Sequence, residues 1–275
     1  MVRRWLMTTM MGGVVLLVAA CDAALLTSLL GSTTPAGTPP GEIGTVSEFG
    51  FDGVEIDARG VAVYDGDPGF LQYAADRNGT AASALVLEKS GGTEDPDLFR
   101  YSLGAGAPAG VRTVAFWFGS ADPANGASAN LVLGAAADLD EAFSGDWRAN
   151  PSFAESAHLE ARVGRYDAES LFVSARAWGV QDVYTMYQGA IGADSSWFHV
   201  AVVLDASRVL RVYLNGRPVT RTDLAVANVR TTDDLALVIV GSGGPGALVD
   251  DLVLLETPLG PDDVAALHTG ELDLP

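Results

Sequence analysis

The chain has 275 residues, and its 35 acidic residues outnumber its 16 basic residues. The resulting formal net charge of −19 argues against nucleic-acid binding, because an acidic surface repels phosphate. The length suits one large all-β domain, and the acidic surface is typical of a well-solvated protein or of one that binds cations.

The N-terminal residues have the features of a secretory signal peptide. Arg3 and Arg4 precede an apolar run that ends at Ala20, and small residues lead to Cys21, the single cysteine of the chain. This arrangement is typical of a bacterial lipoprotein signal, and a lone cysteine cannot form an internal disulfide. We therefore expect a signal peptide at residues 1–20, a lipidated Cys21, and a lipid-anchored location in the bacterial cell envelope, on the periplasmic face or the cell surface.

An uncleaved membrane anchor is the alternative to lipidation. Apolar residues continue after the cysteine, but Asp22 interrupts them, and a charged residue at the centre of a spanning helix costs about 2.5–3.5 kcal/mol. Residues 31–45 are rich in Pro, Gly, Ser and Thr, a composition typical of a flexible tether. The sequence therefore predicts that residues 21–45 carry the lipid and hold a folded domain, residues 46–275, away from the membrane.

From residue 46 onward the chain alternates apolar and polar residues in short segments, a pattern that predicts β-strands with one buried face. Val114, Phe116 and Phe118, for example, share one face of a predicted strand. The segments 197–205 and 234–241 are more apolar, so we expect them to be central strands covered on both sides. Further alternating segments are residues 158–164, 170–178 and 183–187.

One short helix is predicted near the C-terminus, within residues 259–270. Pro261 suits the first helical turn, and Asp262 and Asp263 suit the positive end of the helix dipole. Gly270 is a residue type that often ends a helix. Many strands with a single helix indicate an all-β fold of two packed antiparallel sheets.

The most informative segment, residues 195–219, reads as two strands. The second strand ends in Asn215-Gly216, two residues that tolerate positive φ and therefore favour a tight type I′ turn. The segment carries a tryptophan, Trp197, then HVA beginning at His199, then a strand that ends in YLNG. In this pattern the chain resembles the laminin-G-like members of the concanavalin A-like lectin/glucanase superfamily.

The resemblance implies a jelly-roll β-sandwich of two antiparallel sheets, with loops gathered at its edges. It continues through residues 235–241 and 247–270, and it is weakest over residues 134–187. That weaker region contains the acidic segment DLDEAFSGDW, residues 138–147, which we interpret as a loop inserted into the fold of the family.

Glycosidases of the same superfamily carry a catalytic strand that reads roughly Glu, an aliphatic residue, Asp, and a second Glu shortly afterwards. In GVEIDARG, Glu55 and Asp57 are spaced so that they share a face of a strand, but Arg59 or Gly60 stands where the second Glu would be. The segment also precedes the predicted core strands. We therefore expect a non-catalytic protein, with a glycoside hydrolase as the less favoured alternative.

Asp250 raises the question of a bound metal ion. It has the strand parity of Leu248, Leu252 and Leu254, so we expect its carboxylate to point into the core, where an unpaired charge is costly. Either backbone N–H groups satisfy it, or it holds one structural Ca²⁺ with Asp57, since family members often carry such an ion near the chain termini. No other cofactor is expected, because the three histidines are scattered and do not form a zinc motif.

The acidic segment and three aromatic residues are the candidates for ligand binding. Asp138 and Asp140, near Trp147, would bind calcium or a sugar ring, and Trp178 and Tyr184 would provide a stacking surface. The alternatives are a solvated acidic loop and aromatic residues buried in the core, and the residue types alone leave both open.

The sequence thus predicts a lipid-anchored envelope protein that binds a glycan or another envelope or extracellular protein through a laminin-G-like domain. A structural or adhesive surface protein without a small ligand is the main alternative. The choice between them requires the site itself, because one fold hosts many functions.

Overall fold

A computed structural model of the chain describes residues 44–51, 62–66, 71–87, 98–103, 110–120, 126–143, 157–165, 170–177, 183–188, 197–205, 207–222, 234–243 and 246–274. The predicted signal peptide, Cys21 and nearly all of the predicted tether lie outside this part of the chain. Within the described residues, no helix has the length and apolar character needed to cross a membrane.

The described strands form two antiparallel sheets, of which the first has eight strands. These strands are β1 (Thr45–Phe49), β3 (Tyr73–Ala74), β4 (Ala84–Leu87), β6 (Thr113–Ser120), β11 (Trp197–Leu204), β12 (Leu210–Leu214), β13 (Arg217–Thr222) and β15 (Ala247–Leu255). Their order in the sheet is β13-β12-β11-β6-β15-β4-β3, and β1 pairs with the remaining part of β15.

The second sheet has seven strands in the order β10-β9-β8-β7-β14-β5-β2. It comprises β2 (Val63–Tyr64), β5 (Leu98–Ser102), β7 (Ala127–Ala135), β8 (Ala157–Arg165), β9 (Ser170–Ala177), β10 (Val183–Gln188) and β14 (Leu235–Gly243). The predicted all-β sandwich of two antiparallel sheets is therefore confirmed. The two most apolar segments form β11 and β14, which lie inside their sheets as predicted.

The main core fills the space between the two sheets. Val114, Phe116 and Phe118 of β6 all point into it and are almost completely buried, as their alternation predicts. Burial of aromatic and branched side chains of this kind contributes roughly 1.5–3 kcal/mol each. The outer faces of both sheets also carry smaller apolar clusters, and each cluster is covered by a helix.

Helix α1 (Ala136–Ala142) corrects the prediction of a single helix and of an acidic loop at this position. Ala136, Leu139 and Ala142 are its buried residues, and their spacing of three places them on one helical face. They join an apolar cluster with Val132 and Val238 on the outer face of the second sheet. This short apolar stripe is a weak signal in the sequence, because most of its neighbours are acidic.

Helix α2 (Pro261–Thr269) confirms the C-terminal helix and its boundaries. The Asp263 side chain accepts a hydrogen bond of 3.0 Å from the backbone N–H of Gly260, which satisfies a donor that the helix itself leaves free. Gly270 ends the helix in the left-handed conformation with φ 74°. The apolar face of α2 packs on the outer face of the first sheet through Val264 and Leu267.

The predicted type I′ turn joins β12 and β13. Asn215 and Gly216 have φ values of 50° and 74°, as this turn requires. Asn215 also ties the turn to β11: its side chain accepts a 2.9 Å hydrogen bond from the His199 N–H, and its own N–H donates to the His199 carbonyl at 2.8 Å. The turn therefore fixes the backbone on both sides of His199.

We expect Asn215→Ala to lower the free energy of unfolding by about 1–2 kcal/mol, because it loses a hydrogen bond and places alanine at positive φ. Asn215→Gly is the matched control, since glycine tolerates that φ and loses only the hydrogen bond. Urea unfolding of both variants tests this. Equal losses in the two variants would show that the left-handed conformation contributes nothing.

Candidate functional site

Three side chains lie in line across three central strands of the first sheet. In β11, His199 is paired with Trp117 of β6, and Trp117 is paired in turn with Asp250 of β15. Directly paired residues of antiparallel strands place their side chains on the same face. Because the neighbours of Trp117 on β6 point into the core, this row lies on the outer face of the sheet.

The position of Asp250 corrects the prediction that its carboxylate points into the core between the sheets. The pairing of β15 with β6 shifts register between Asp250 and Val253, and both Val249 and Leu252 belong to the main core. Two residues therefore separate consecutive inward positions, as a β-bulge requires. The bulge places Asp250 on the outer face, and Asp251 takes a positive φ of 42°.

Arg77 reaches this row from the turn between β3 and β4. The Asp76 side chain holds the turn by accepting hydrogen bonds from the N–H groups of Asn78 and Thr80, at 2.8 and 2.6 Å. These local bonds are typical of an Asx turn. They fix the backbone from which Arg77 extends toward the bulge.

The Arg77 guanidinium interacts with the bulge and with the aromatic ring beside it. It donates a hydrogen bond to Asp251, and its Nη1 lies 3.7 Å from Oδ2 of Asp250. It also lies over the ring of Trp117, 4.5 Å from the ring centroid, a favourable cation–π distance. One face of the tryptophan is therefore already occupied by a cation.

Two histidines complete the aromatic group around Trp117. The centroids of His199 and His268 lie 5.3 and 5.2 Å from the Trp117 centroid, and 5.4 Å from each other. His268 is on α2, so the helix contributes directly to the site. The two imidazoles are therefore positioned by different elements, a strand and the terminal helix.

Burial strongly shifts the pKa of the Asp250 carboxyl. Removal from water raises the pKa of the Asp250 carboxyl to about 7, and the adjacent Asp251 carboxylate raises it as well, against the opposing effects of the Asp251 N–H and Arg77. Asp250 is only 2% exposed. Its carboxyl therefore changes protonation near neutral pH, although an ordinary aspartate is ionised there.

Burial lowers the pKa of His199 to about 3, and the nearby His268 and Arg77 lower it further. The pKa of His268 is lowered in the same direction, by burial and then by Arg77. Both imidazoles are therefore neutral at physiological pH. In a neutral imidazole one nitrogen accepts a hydrogen bond.

Arg77, Trp117, His199 and Asp251 border a recess of about 280 Å³ between the first sheet and the C-terminal segment, which we call the outer recess. Asp250 and His268 lie beside these residues but do not line the recess. Charged, aromatic and apolar side chains all contribute to its lining. The lining residues are Glu48, Arg77, Ala115, Trp117, His199, Asp251, Val253, Leu267, Gly270, Leu272, Asp273 and Leu274.

A laminin-G family model, described as the concanavalin A-like lectin/glucanases superfamily, matches residues 112–265, which is more than half of the chain. The chain belongs to this superfamily. The matched region contains Trp117, His199 and Asp250, whereas Arg77 and His268 lie outside it. A search of curated proteins found no match.

Solved structures of similar fold include binding domains of botulinum neurotoxins. The binding domain of botulinum neurotoxin serotype D has a TM-score of 0.52 at 12% identity, with 83% of this chain and 52% of that chain covered. The receptor-binding domain of mosaic serotype C/D has a TM-score of 0.51 at 11% identity, with coverages of 83% and 51%. The serotype D domain solved with N-acetylneuraminic acid has a TM-score of 0.52 at 12% identity, with coverages of 83% and 51%.

This chain therefore spans about half the length of those domains. At such low identity the likeness shows the shared fold and nothing more. It supports the two-sheet sandwich that the superfamily membership implies.

The structure describes only some of the residues predicted to form a site. Cys21, Asp57, Trp147 and Trp178 lie outside the described residues, so their predicted roles stay predictions. Tyr184 lies in edge strand β10, where the backbone alone is described.

Asp138 and Asp140 lie on α1, over the second sheet and not at the outer recess. Asp138 is in the first helical turn, where a carboxylate favours the helix dipole. Asp140 forms an ion pair of 3.0 Å with Arg100. Exposed ion pairs of this kind contribute little to stability. The predicted part of Asp138 and Asp140 in calcium or sugar binding stays a prediction.

The described residues contain no group of three or more His, Cys, Asp or Glu side chains that would hold a metal ion. The bulge nevertheless brings Asp250 beside Asp251, and the proposed second ligand, Asp57, lies outside the described part of the chain. The hypothesis of a structural calcium at Asp250 therefore stays open. The alternative, that backbone N–H groups satisfy this carboxylate, is supported in part, because one oxygen of Asp250 accepts a 2.8 Å hydrogen bond from the Asp251 N–H.

Sequence reasoning missed Arg77 and Trp117 as parts of a site. Arg77 lies far from β15 in the chain, in a turn whose Asn78-Gly79 pair indicates the turn but not its contact with β15. Trp117 offered one signal, because it alternates with core residues and must face outward. A large aromatic side chain on an outer face indicates either a covering element or a ligand.

Proposed function

We propose that the protein is a lipid-anchored recognition protein of the bacterial cell envelope, which binds a glycan or another surface protein without catalysing a reaction. The observation that supports this proposal is the outer recess, which His199 and Trp117 of the row line together with Arg77 and Asp251. The row is built on paired strands of one rigid sheet, and rigid elements are suited to hold a binding site. The superfamily membership is consistent with this role.

A recognition role also fits the arrangement of the two carboxyls at the β-bulge. The two adjacent acids, Asp250 and Asp251, are consecutive in sequence and both face Arg77. A retaining glycosidase needs two carboxyls facing each other across a sugar at about 5–5.5 Å. The bulge instead serves to position a cation.

The anchor is tested by metabolic labelling with a fatty acid. We expect the wild-type protein to incorporate the label and to fractionate with membranes, because acyl chains bury many methylene groups in the bilayer. Cys21→Ala should lose both the label and the signal-peptide cleavage, with Cys21→Ser as a matched variant. Continued labelling of either variant would refute the anchor.

The binding role is tested with the full-length lipidated protein in detergent, applied to a glycan array and to an array of surface-exposed peptides. We expect saturable binding on one of the two arrays. Glu48 lines the outer recess, so Glu48→Gln should weaken this binding. Acidic glycans, including sialylated ones, should not bind at the recess, because its carboxylates repel them. Absence of binding on both arrays would contradict a recognition role and favour a purely structural surface protein.

A further inference from the structure

The outer recess has more carboxylates than cations. Glu48, Asp251 and Asp273 line it, and Arg77 is its single cationic lining residue. Arg77 is directed to the bulge, where it faces both Asp250 and Asp251. Glu48 and Asp273 form no ion pair with any described residue, so the recess keeps an excess of negative charge.

A buried polar atom at the wall of the recess lacks a hydrogen-bond partner. His199 lines the recess and is 2% exposed, yet its Nδ1 has no partner among the described residues. Oδ2 of Asp250 and Nδ1 of His268 also lack hydrogen-bond partners within that part of the chain, but neither residue lines the recess, so they are not assigned to the ligand. A buried polar atom without a partner costs roughly 1–3 kcal/mol, so a ligand that supplies donors would be stabilised here.

We propose that the outer recess binds an organic cation, and that this cation is the guanidinium or ammonium group of an arginine or lysine side chain on a partner protein. The inference rests on the proposed recognition role and names the chemistry of the ligand at that site. It assigns the contacts to Glu48 and Asp273 near the surface and to His199 at the buried wall.

The hydrogen-bonding inventory favours a cation over an anion or a neutral sugar. Ammonium and guanidinium groups carry only donors, and they match carboxylate oxygens and the accepting nitrogen of a neutral imidazole. An anion would meet the carboxylates of Glu48 and Asp273, while Arg77, the one cation of the lining, is already paired with Asp251. A sugar commonly stacks on a free aromatic face, but Arg77 already covers a face of Trp117 at 4.5 Å.

Arg77 itself provides the structural precedent. Its guanidinium is held by carboxylates and an aromatic ring inside the same site, which is the environment that a second basic side chain would enter. The volume of about 280 Å³ is small, below the roughly 300–1,000 Å³ of drug-sized pockets. It suits the end of one long side chain better than an oligosaccharide.

The charge of the whole molecule points to the same kind of partner. The formal net charge of −19 attracts a basic protein surface over long range and increases the rate of encounter. A basic side chain on such a surface would then insert into the acidic recess.

The test is isothermal titration calorimetry of the full-length lipidated protein in detergent with a short glycine-rich peptide that contains one arginine. The matched probe contains citrulline, which has nearly the same shape but no charge. We expect saturable binding of the arginine peptide alone. Glu48→Gln and Asp273→Asn should each weaken it by at least about fivefold, whereas Asp262→Asn, on the exposed first turn of α2, should leave it unchanged.

Other outcomes would overturn the inference. Equal binding of the citrulline peptide would show that charge is not recognised, and an equal loss in Asp262→Asn would show an effect of net charge alone. Binding of methyl glucosaminide, but of neither peptide, would assign the ammonium to an amino sugar and not to a protein. If neither peptide binds while an array still shows a ligand, the inference fails and the proposed function stands. Asp273 lies on an exposed segment, so its variant keeps the test valid if Glu48→Gln does not fold.

Discussion

Replacing Asp250 with asparagine is expected to favour the folded protein more at about pH 8 than at about pH 5. The substitution removes a carboxyl whose ionisation is opposed by burial. The pKa of this group rises from an ordinary 3.8 to about 7 in the folded protein. Between these two values the folded state holds a proton that the unfolded state has released. The contribution of Asp250 to stability therefore falls as the pH rises through this window, and it is constant above it.

The linkage sets an upper bound of about 4 kcal/mol on this contribution. The comparison covers only part of the window, because about pH 5 already lies above the ordinary pKa of the group. We expect the effect of Asp250→Asn on the free energy of unfolding to become more favourable by about 2 kcal/mol between the two pH values. Urea unfolding of both proteins measures it, and Asp262→Asn serves as the exposed control.

His199 changes stability in the opposite direction and must be separated from Asp250. Its pKa is lowered to about 3 in the folded protein, so its contribution is lost as the pH falls from 6.5 toward 3. The difference between wild type and Asp250→Asn removes this contribution, because both proteins contain His199. A pH-independent difference between the two proteins would refute the account of Asp250.

Replacing Arg77 with methionine is expected to destabilise the protein by about 2 kcal/mol at about pH 8, because it leaves two adjacent carboxylates without a cation. The estimate lies below the range for fully buried pairs, since the side chain of Arg77 is 27% exposed and that of Asp251 is 44% exposed. Loss of the guanidinium over Trp117 adds to the effect. Methionine keeps most of the length and apolar area of the arginine stem.

A double-mutant cycle gives this prediction its control. In the Asp250→Asn background, Arg77→Met should cost about 1 kcal/mol less than in the wild type, because one of the two carboxylates is already gone. The free energies come from urea unfolding of the four proteins. Equal costs in the two backgrounds would mean that Arg77 and Asp250 do not interact.

The sandwich was predictable because its signals are local and repeated. The alternation of Val114, Phe116 and Phe118, the apolar segments that form β11 and β14, and the Asn215-Gly216 turn each depend on neighbouring residues alone. The same is true of α2, whose proline, acids and terminal glycine lie within ten residues. Such signals can be read from one sequence.

The outer recess was not predictable in the same way, because it depends on two features that no local pattern reveals. A β-bulge at Asp250 and Asp251 reverses the parity on which the inward orientation of Asp250 was predicted. The contact with Arg77 joins residues that are 174 positions apart. Helix α1 was missed for a different reason, since three buried residues in a strongly acidic segment are a weak periodic signal.

We propose that recognition takes place at the outer recess. The most direct test is the nitrogen NMR spectrum of the full-length protein with labelled tryptophan, titrated with the ligand found on the arrays and assigned by Trp→Phe variants. We predict that the indole signal of Trp117 shifts saturably and that the shift is reduced in Glu48→Gln. Shifts confined to Trp147 or Trp178 would place the ligand elsewhere and contradict the claim.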